Sequence, residues 1–178
     1  MGKAGRQIRT LVTIAAMVAV MEAGKFLLNA LPNVEVITLL VIVYTKVFGW
    51  RKTLAAVLLF ALLECMWWGF GTWSIVYFYL WPLLVWLTWL IRKQKSVWAY
   101  VLLAGTFGLA FGALSSAASI PLFGWKTAVA WWISGIPYDL IHAGSNTVIT
   151  ALLYQPLVNA LTRIAHQYDV AGKELSHG

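Results

Sequence analysis

Four polar residues recur at helical spacing within a stretch that is otherwise apolar enough to cross a bilayer. The stretch covers residues 135–156, and the polar residues are Asp139, His142, Asn146 and Thr150. On a helix, steps of three, four and four positions place all four side chains on one face. This polar stripe has the chemistry to bind a polar ligand, to hold an ion or to pass protons. Because polar groups in lipid are costly unless they face protein, water or a ligand, the stripe indicates a membrane protein and the place of its site.

Three further carboxylates lie in or next to apolar segments. Glu22 and Glu64 fall inside predicted spans, and Glu35 falls at the start of a short one. Ionisable residues at such depth either line a functional site or pair with one another between helices. A structural pair with Lys25 or His142 explains Glu22 or Glu64 as well as a ligand site does, and both interpretations stay open.

Aromatic residues form a second signal, since the chain holds 11 Trp. They gather in three regions: Trp67, Trp68 and Trp73; Tyr77, Tyr79 and Trp81; Trp125, Trp131 and Trp132. A belt of aromatic rings at the membrane interface explains isolated members of these groups. It explains neighbours in sequence less completely, because they cannot all face lipid. We therefore expect part of the set to line a cavity.

Several kinds of chemistry are not supported. The segment 124–127 reads Gly-Trp-Lys-Thr but lacks the loop and spacing of a nucleotide-binding motif. The single cysteine, Cys65, excludes an internal disulfide and a multi-cysteine metal site. Ser145 follows His142 by three residues, but no oxyanion-stabilising arrangement accompanies them. A membrane enzyme is therefore the least favoured class, and we expect no enzymatic activity.

The elements that position these residues are predicted helices of a polytopic membrane protein. The chain is 61% hydrophobic and 11% charged, with a mean hydropathy of +0.79, which favours a single all-α membrane domain over residues 1–178. Six helices are predicted, over 8–28, 34–48, 53–70, 75–91, 97–119 and 137–163, with Pro137 in the first turn of the last. Residues 125–136 are predicted to form an outer loop or an interfacial helix, and the tail 168–178 to be disordered. The basic start before the first apolar run is not interpreted as a signal peptide, because further spans follow.

Basic residues set the expected orientation. The net charge is +7, but the cations occur in short clusters between apolar runs, which is typical of membrane topology signals rather than of nucleic-acid binding. If both termini are cytoplasmic, only Lys25 and Lys126 fall at or near the outer side. An even number of spans satisfies this asymmetry, and it places Asp139 and His142 near the outside.

Small residues form a ridge on the first predicted helix. Ala15, Ala19 and Ala23 are spaced by four positions, so that another helix can approach closely along them. The neighbour is either a helix of the same bundle or a separate protein.

Taken in this order, the features resemble the S components of energy-coupling factor (ECF) vitamin transporters. The resemblance covers residues 10–163. It is carried by the alanine ridge, by the segment from Gly135 to Asn146 (GIPYDLIHAGSN), and by Leu152-Leu153 and Gln155-Pro156-Leu157 near the end of the last helix.

The resemblance implies a six-helix, substrate-binding subunit without its own ATPase in the plasma membrane of a bacterium. Its partners would be a transmembrane coupling protein (the T component) and two cytoplasmic ATPases, docked through Ala15, Ala19 and Ala23. The substrate pocket would lie toward the outside. Onto it fall Asn33, Trp68, Tyr77, Tyr79, Trp132, Tyr138, Asp139, His142 and Asn146.

Three segments look most like the cobalamin-specific members of that family: 31–35 (LPNVE), 69–73 (GFGTW) and 77–81 (YFYLW). Aromatic walls with a few hydrogen-bonding side chains suit a corrinoid, which has apolar faces and many amides. Cobalamin is thus expected as the transported ligand, with no cofactor of the protein's own. His142 or Cys65 has the chemistry to meet cobalt, but no direct metal bond is predicted.

Two alternatives stay open at this point. Within the family, the substrate is another vitamin or a precursor. In a different class, the protein is a solitary proton-coupled carrier that uses Glu22, Glu64 and Asp139 as a relay.

Overall fold

Six α-helices make up the architecture. The computed structural model describes the backbone of residues 3–174 and the side chains of residues 4–167. The helices are α1 (Lys3–Leu28), α2 (Ile37–Phe48), α3 (Trp50–Trp68), α4 (Thr72–Leu90), α5 (Val97–Ala117) and α6 (Ile120–Glu174). No strand occurs among the described residues. The all-α class and the number of helices are confirmed, and the bounds of the first five helices lie within five residues of those predicted.

The helices are long and apolar enough for a membrane protein. Four contain candidate membrane spans: Ala4–Leu28, Thr72–Leu90, Val97–Ala117 and Ile120–Gln167. α3 has 19 residues but carries Arg51, Lys52 and Glu64. α2 has 12 residues, which is about 18 Å of helix and shorter than a hydrocarbon core.

The last helix differs from its prediction. Residues 125–136 are neither a loop nor a separate interfacial helix, because they are helical and continue directly into the segment after Pro137. The interruption lies earlier, at Gly124, whose φ of 79° is left-handed and suits a residue without a Cβ. Pro137 is therefore inside the helix, where it removes one backbone hydrogen bond without ending α6.

The C-terminal part of α6 also differs from its prediction. The helix continues past 163 to Glu174, so residues 168–174 are helical where disorder was expected. Residues 175–178 of the predicted disordered tail lie outside the described part of the chain.

α2 is the centre of the bundle. It packs against all five other helices, and every residue from Ile37 to Thr45 is buried. A helix that is covered on all sides needs no polar face, which explains the apolar run over residues 39–43; Thr38 and Thr45 are also buried.

The bundle has two chemically different ends. Its distal end holds the loop 29–36 and the α3–α4 turn, and its basic end holds the N-terminus of α1 and the α4–α5 loop. At the basic end, the Lys46 ammonium donates to the carbonyls of Arg92 (2.7 Å) and Gln94 (3.0 Å) and to the hydroxyl of Tyr100 (2.9 Å). These bonds satisfy carbonyls that follow α4 and fix α2 to that loop.

Glycines allow α5 and α6 to pack closely. A Cβ built on Gly108 would lie 2.9 Å from the carbonyl of His142, and one built on Gly112 would collide with the Asp139 carboxylate. Gly105 meets Thr147 in the same way. The three glycines form one ridge on α5, and they bring the polar stripe of α6 against the rest of the bundle.

Candidate ligand-binding site

The polar stripe of α6 faces the interior of the bundle. Asp139, His142, Asn146 and Thr150 are all buried, with at most 5% of each residue exposed. The prediction that these four side chains share a buried face is confirmed. Three of them contact other elements at the distal half of the bundle, whereas the Thr150 hydroxyl has no hydrogen-bond partner.

The loop 29–36 is attached to α6 by two backbone-directed hydrogen bonds. The Asn33 side-chain amide donates to the carbonyl of Tyr138 at 3.0 Å, and the Ser145 hydroxyl donates to the carbonyl of Asn33 at 3.0 Å. Asn33 has a φ of 57°, a left-handed conformation that asparagine tolerates better than most residues. The loop is therefore held in one position over the end of the bundle.

A contact between His142 and Glu35 joins the same loop to the stripe. Nε2 of His142 lies 3.1 Å from Oε1 of Glu35, and Oε2 of Glu35 accepts the backbone N–H of Thr38 at 2.9 Å. The side-chain amide of Asn146 donates to the Thr38 hydroxyl at 3.2 Å. Glu35 thus satisfies an N–H in the first turn of α2, where a carboxylate is favourable, and holds the imidazole of α6.

These partners decide the charge state of Glu35. Burial by itself raises the pKa of this carboxyl, but the hydrogen bond from His142, the charge of His142 and the hydrogen bonds from Thr38 together lower it below its ordinary value. Glu35 is therefore ionised at neutral pH.

Asp139 is attached to α5 rather than to the loop. Its Oδ1 accepts the backbone N–H of Gly112 at 2.9 Å, and its Oδ2 is buried without a hydrogen-bond partner. The absence of a Cβ on Gly112 makes this contact sterically possible. One oxygen of the stripe thus stabilises the α5–α6 interface, and the other is left for a further donor.

A cavity of about 250 Å³ lies beneath the loop 29–36. Its walls come from the end of α1, this loop, the start of α2, and α4, α5 and α6. They include Lys25, Asn33, Glu35, Ile37, Tyr77, Trp81, Phe111 and His142. The floor is aromatic, since Phe111 packs edge-on to His142 with ring centroids 5.0 Å apart, and Trp81 lies 5.6 Å from Tyr77. The cavity therefore combines flat apolar surfaces with a small number of charged groups, as ligand sites do.

Lys25 brings a cation to the cavity wall. Its ammonium pairs with the carboxylate of Glu64, which is 2% exposed, and lies 5.1 Å from the ring centroid of Tyr77 and 5.9 Å from that of Phe60. Glu22 lies one turn earlier on α1. The Glu64 side chain is thus matched by a charge partner, which supports the structural interpretation of that residue while leaving Lys25 in contact with the cavity.

Trp81 brings a hydrogen-bond donor that the protein does not use. The residue is 3% exposed and lines the cavity, and its indole Nε1 has no hydrogen-bond partner. A buried N–H without a partner costs free energy.

A second cavity of about 250 Å³ adjoins the first. It is lined by the start of α4, the end of α5 and Trp131 of α6, and it shares Tyr77 and Phe111 with the first cavity. These two rings therefore divide the distal end into two compartments. A ligand that fills both compartments has to displace them.

The structure separates the predicted site residues into three groups. Asn33, Tyr77 and His142 line the first cavity. Asp139 and Asn146 are buried next to it and bond to neighbouring helices. Four do not line it: Trp68, Trp132 and Tyr138, which are exposed, and Tyr79, whose hydroxyl donates to the carbonyl of Leu114. For these four, contact with a ligand stays a prediction.

Several residues of the site were not among the predicted ones. Glu35, Lys25, Trp81 and Phe111 line the cavity, although the sequence suggested no role for Phe111. The glycine ridge of α5 was also not identified, and its spacing of three and four positions is the signal that reveals it.

Neither the relay of three carboxylates nor a pair of Ser145 with the His142 imidazole is formed by the described residues. Glu22 and Glu64 are near Lys25, whereas Asp139 is bonded to Gly112, so the three carboxylates do not form one chain of contacts. The Ser145 hydroxyl donates to the carbonyls of Asn33 and His142 rather than to the imidazole.

Comparison with known proteins gives no match: the chain matches no protein-family model, no curated protein and no solved structure. Its function is therefore inferred from the geometry of the site together with the sequence.

Proposed function

We propose that this protein is the substrate-binding S component of an ECF-type vitamin importer in a bacterial plasma membrane. Six helices are embedded, both termini are cytoplasmic and the distal end faces outward. The observation that carries the proposal is the cavity under the loop 29–36, which is lined by Trp81, Glu35 and His142; the last two form a pair, and the indole N–H of Trp81 has no partner. The positions of Lys and Arg support the orientation, because Lys46, Arg51 and Arg92 are at the basic end.

The alanine ridge supports docking on a separate protein. Ala15, Ala19 and Ala23 are exposed on the surface of the bundle, so the ridge is not used for packing inside this chain. Small side chains permit close approach of a partner helix. The proposed partners are the coupling protein and, through it, two cytoplasmic ATPases. They supply the energy for transport, because this sequence carries no nucleotide-binding motif of its own.

Cobalamin is the proposed substrate, and the two cavities set the condition under which it binds. A corrinoid is several times larger than one compartment of about 250 Å³. It enters only if Tyr77 and Phe111 move apart and join the compartments, or if part of it occupies the first cavity while the ring lies across exposed aromatics such as Trp68 and Tyr138. Cys65 is buried and does not line the cavity, and Nε2 of His142 is engaged by Glu35.

A smaller vitamin or precursor is the second candidate, and the cavity volume favours it. About 250 Å³ is close to the lower limit of small-molecule sites, roughly 300 Å³. A flat ring between the aromatic walls, with an acceptor toward Trp81 and Lys25 and a donor toward Glu35, complements the polar groups of this cavity.

Uptake into cells or proteoliposomes tests the class of function. We expect uptake of the vitamin only when the coupling protein and the two ATPases are present and ATP is hydrolysed. Uptake driven by a pH gradient without these partners would instead identify a solitary proton-coupled carrier. If a smaller vitamin is taken up and a corrinoid is not, the proposed substrate is wrong but the proposed class of transporter stands.

A further inference from the structure

A long groove at the basic end separates two helices whose backbones do not pack closely. Among the described residues, no Cα atom of α1 lies within 8 Å of one of α6. The space between them is a groove of about 540 Å³. Its floor is the C-terminal end of α2, where Tyr44, Val47 and Phe48 lie, and its far wall is Leu161 and Ile164 of α6.

The groove is as deep as one leaflet of a bilayer. Along α1 its lining extends from Arg6 and Arg9 to Val20. The twelve residues from Arg9 to Val20 are eleven steps along the helix, which correspond to about 16 Å. Half of a hydrocarbon core is about 15 Å, so the groove begins at the level of lipid headgroups and ends near the bilayer midplane.

Its chemistry changes along this depth. The shallow part is lined by Arg6, Arg9 and Lys52, and no ion pair joins Arg6 or Lys52 to another described residue. The deep part is lined by apolar side chains of α1, with Ala16 and Val20 among them. A cationic mouth above an apolar trough matches an anionic headgroup above an acyl chain.

We propose that this groove binds a phospholipid with an anionic headgroup from the cytoplasmic leaflet. Arg6 and Lys52 bind the phosphate, and an acyl chain lies along α1 past Ala16, filling the gap between α1 and α6. The proposal depends on the orientation given above, in which the basic end is cytoplasmic. It does not depend on the identity of the transported substrate, so either proposal can fail without the other.

Lipid titration of the purified full chain in mild detergent tests the site. Binding of phosphatidylglycerol and of phosphatidylcholine is followed by native mass spectrometry. We expect phosphatidylglycerol to bind more tightly than phosphatidylcholine. The double variant Arg6→Gln, Lys52→Gln should bind phosphatidylglycerol about 30-fold more weakly, since each basic residue near the surface contributes about 1 kcal/mol.

Matched controls separate a built site from general charge attraction. Lys93→Gln, Lys95→Gln removes the same charge from the α4–α5 loop of the basic end and should keep the wild-type affinity. Ala16→Phe fills the trough without changing charge and should block binding, whereas Ala15→Phe, on an exposed alanine that does not line the groove, should not. Equal binding of the two lipids, equal losses in the two charge variants, or wild-type binding in Ala16→Phe would each overturn the proposal. If only the Arg6/Lys52 variant fails to fold, the comparison of Ala16→Phe with Ala15→Phe still tests the proposal. A groove that binds a protein in place of a lipid would contradict it.

Discussion

Nε2 of His142 lies 3.1 Å from Oε1 of Glu35, and this contact joins two residues that are 107 positions apart in the chain. It connects the middle of the polar stripe on α6 to the loop that covers the cavity. The same Glu35 carboxylate accepts the N–H of Thr38 in the first turn of α2. One side chain thus fixes the cavity loop to two helices, and the cavity depends on its charge.

The stability of the fold should depend on pH through Glu35. Its pKa in the folded chain is below the ordinary value of 4.5, so the folded state binds a proton less readily than the unfolded state. The stabilisation is complete above about pH 4.5 and is lost as the pH falls through the lower folded value. We expect Glu35→Gln to be less stable than the wild type by about 1 kcal/mol at neutral pH, and this difference should shrink below pH 4.5. Thermal unfolding of both chains between about pH 3 and 7, the range that brackets the carboxyl titration, measures this stability difference. Parallel pH curves for the two chains would contradict the prediction.

Trp81→Phe should lower stability and ligand affinity for separate reasons. The indole N–H has no partner in the protein, so no internal hydrogen bond is lost, but the smaller ring leaves a void in the core and should lower the unfolding temperature. If a ligand accepts from this N–H, its affinity should fall about tenfold, the effect of one hydrogen bond. Trp86→Phe, on a residue of α4 that is 53% exposed, is the control and should change neither quantity. Lower stability with unchanged affinity in Trp81→Phe would assign the indole to packing alone.

The glycine ridge of α5 should tolerate no side chain where it meets α6. In Gly108→Ala the new Cβ would lie 2.9 Å from the carbonyl of His142, and we expect a loss of about 1–3 kcal/mol from overpacking. Gly144→Ala is the matched control, because no atom outside its own helix lies within 4 Å of the new Cβ. It should gain up to about 1 kcal/mol from helix propensity. Chemical or thermal unfolding of both variants checks the signs, and equal shifts would show that the contact does not limit the packing.

Ala19→Phe should block uptake and leave ligand binding intact. Ala19 is exposed in the middle of the alanine ridge, and a bulky ring there prevents close approach of a partner helix. Ala55→Phe adds the same ring to an exposed alanine of α3 and should keep wild-type uptake. Transport and binding are measured on the same preparations. Normal uptake by Ala19→Phe, or loss of ligand binding in a folded variant, would contradict the docking role.

Periodicity was sufficient to predict the buried face of α6 but not its contacts. The spacing from Asp139 to Thr150 places the four residues on one face, and all are buried. The partner of His142 is Glu35, and no local pattern links residues so far apart. Helical geometry would also have separated Tyr77 from Tyr79, since residues two positions apart do not face the same side. Tyr77 lines the cavity and Tyr79 bonds to Leu114.

The start of α6 shows why local signals mislead. Gly, Lys and paired Trp between 125 and 136 are compatible with an interfacial loop, but each is also tolerated in a helix. Pro137 is favoured in a first turn, yet a proline within a helix need not end it. The chain departs from helical geometry at Gly124 and stays helical through Gly135 and Pro137, although all three residue types can interrupt a helix.

Binding of cobalamin and of a panel of smaller vitamins to the purified chain, measured by calorimetry, tests the central claim most directly. We expect one vitamin to bind with one-to-one stoichiometry, and its affinity to fall about tenfold in Trp81→Phe and in Glu35→Ala, because both residues line the cavity. If no vitamin binds to the folded chain, or if the one that binds has the wild-type affinity in both variants, the cavity under the loop 29–36 is not the substrate site.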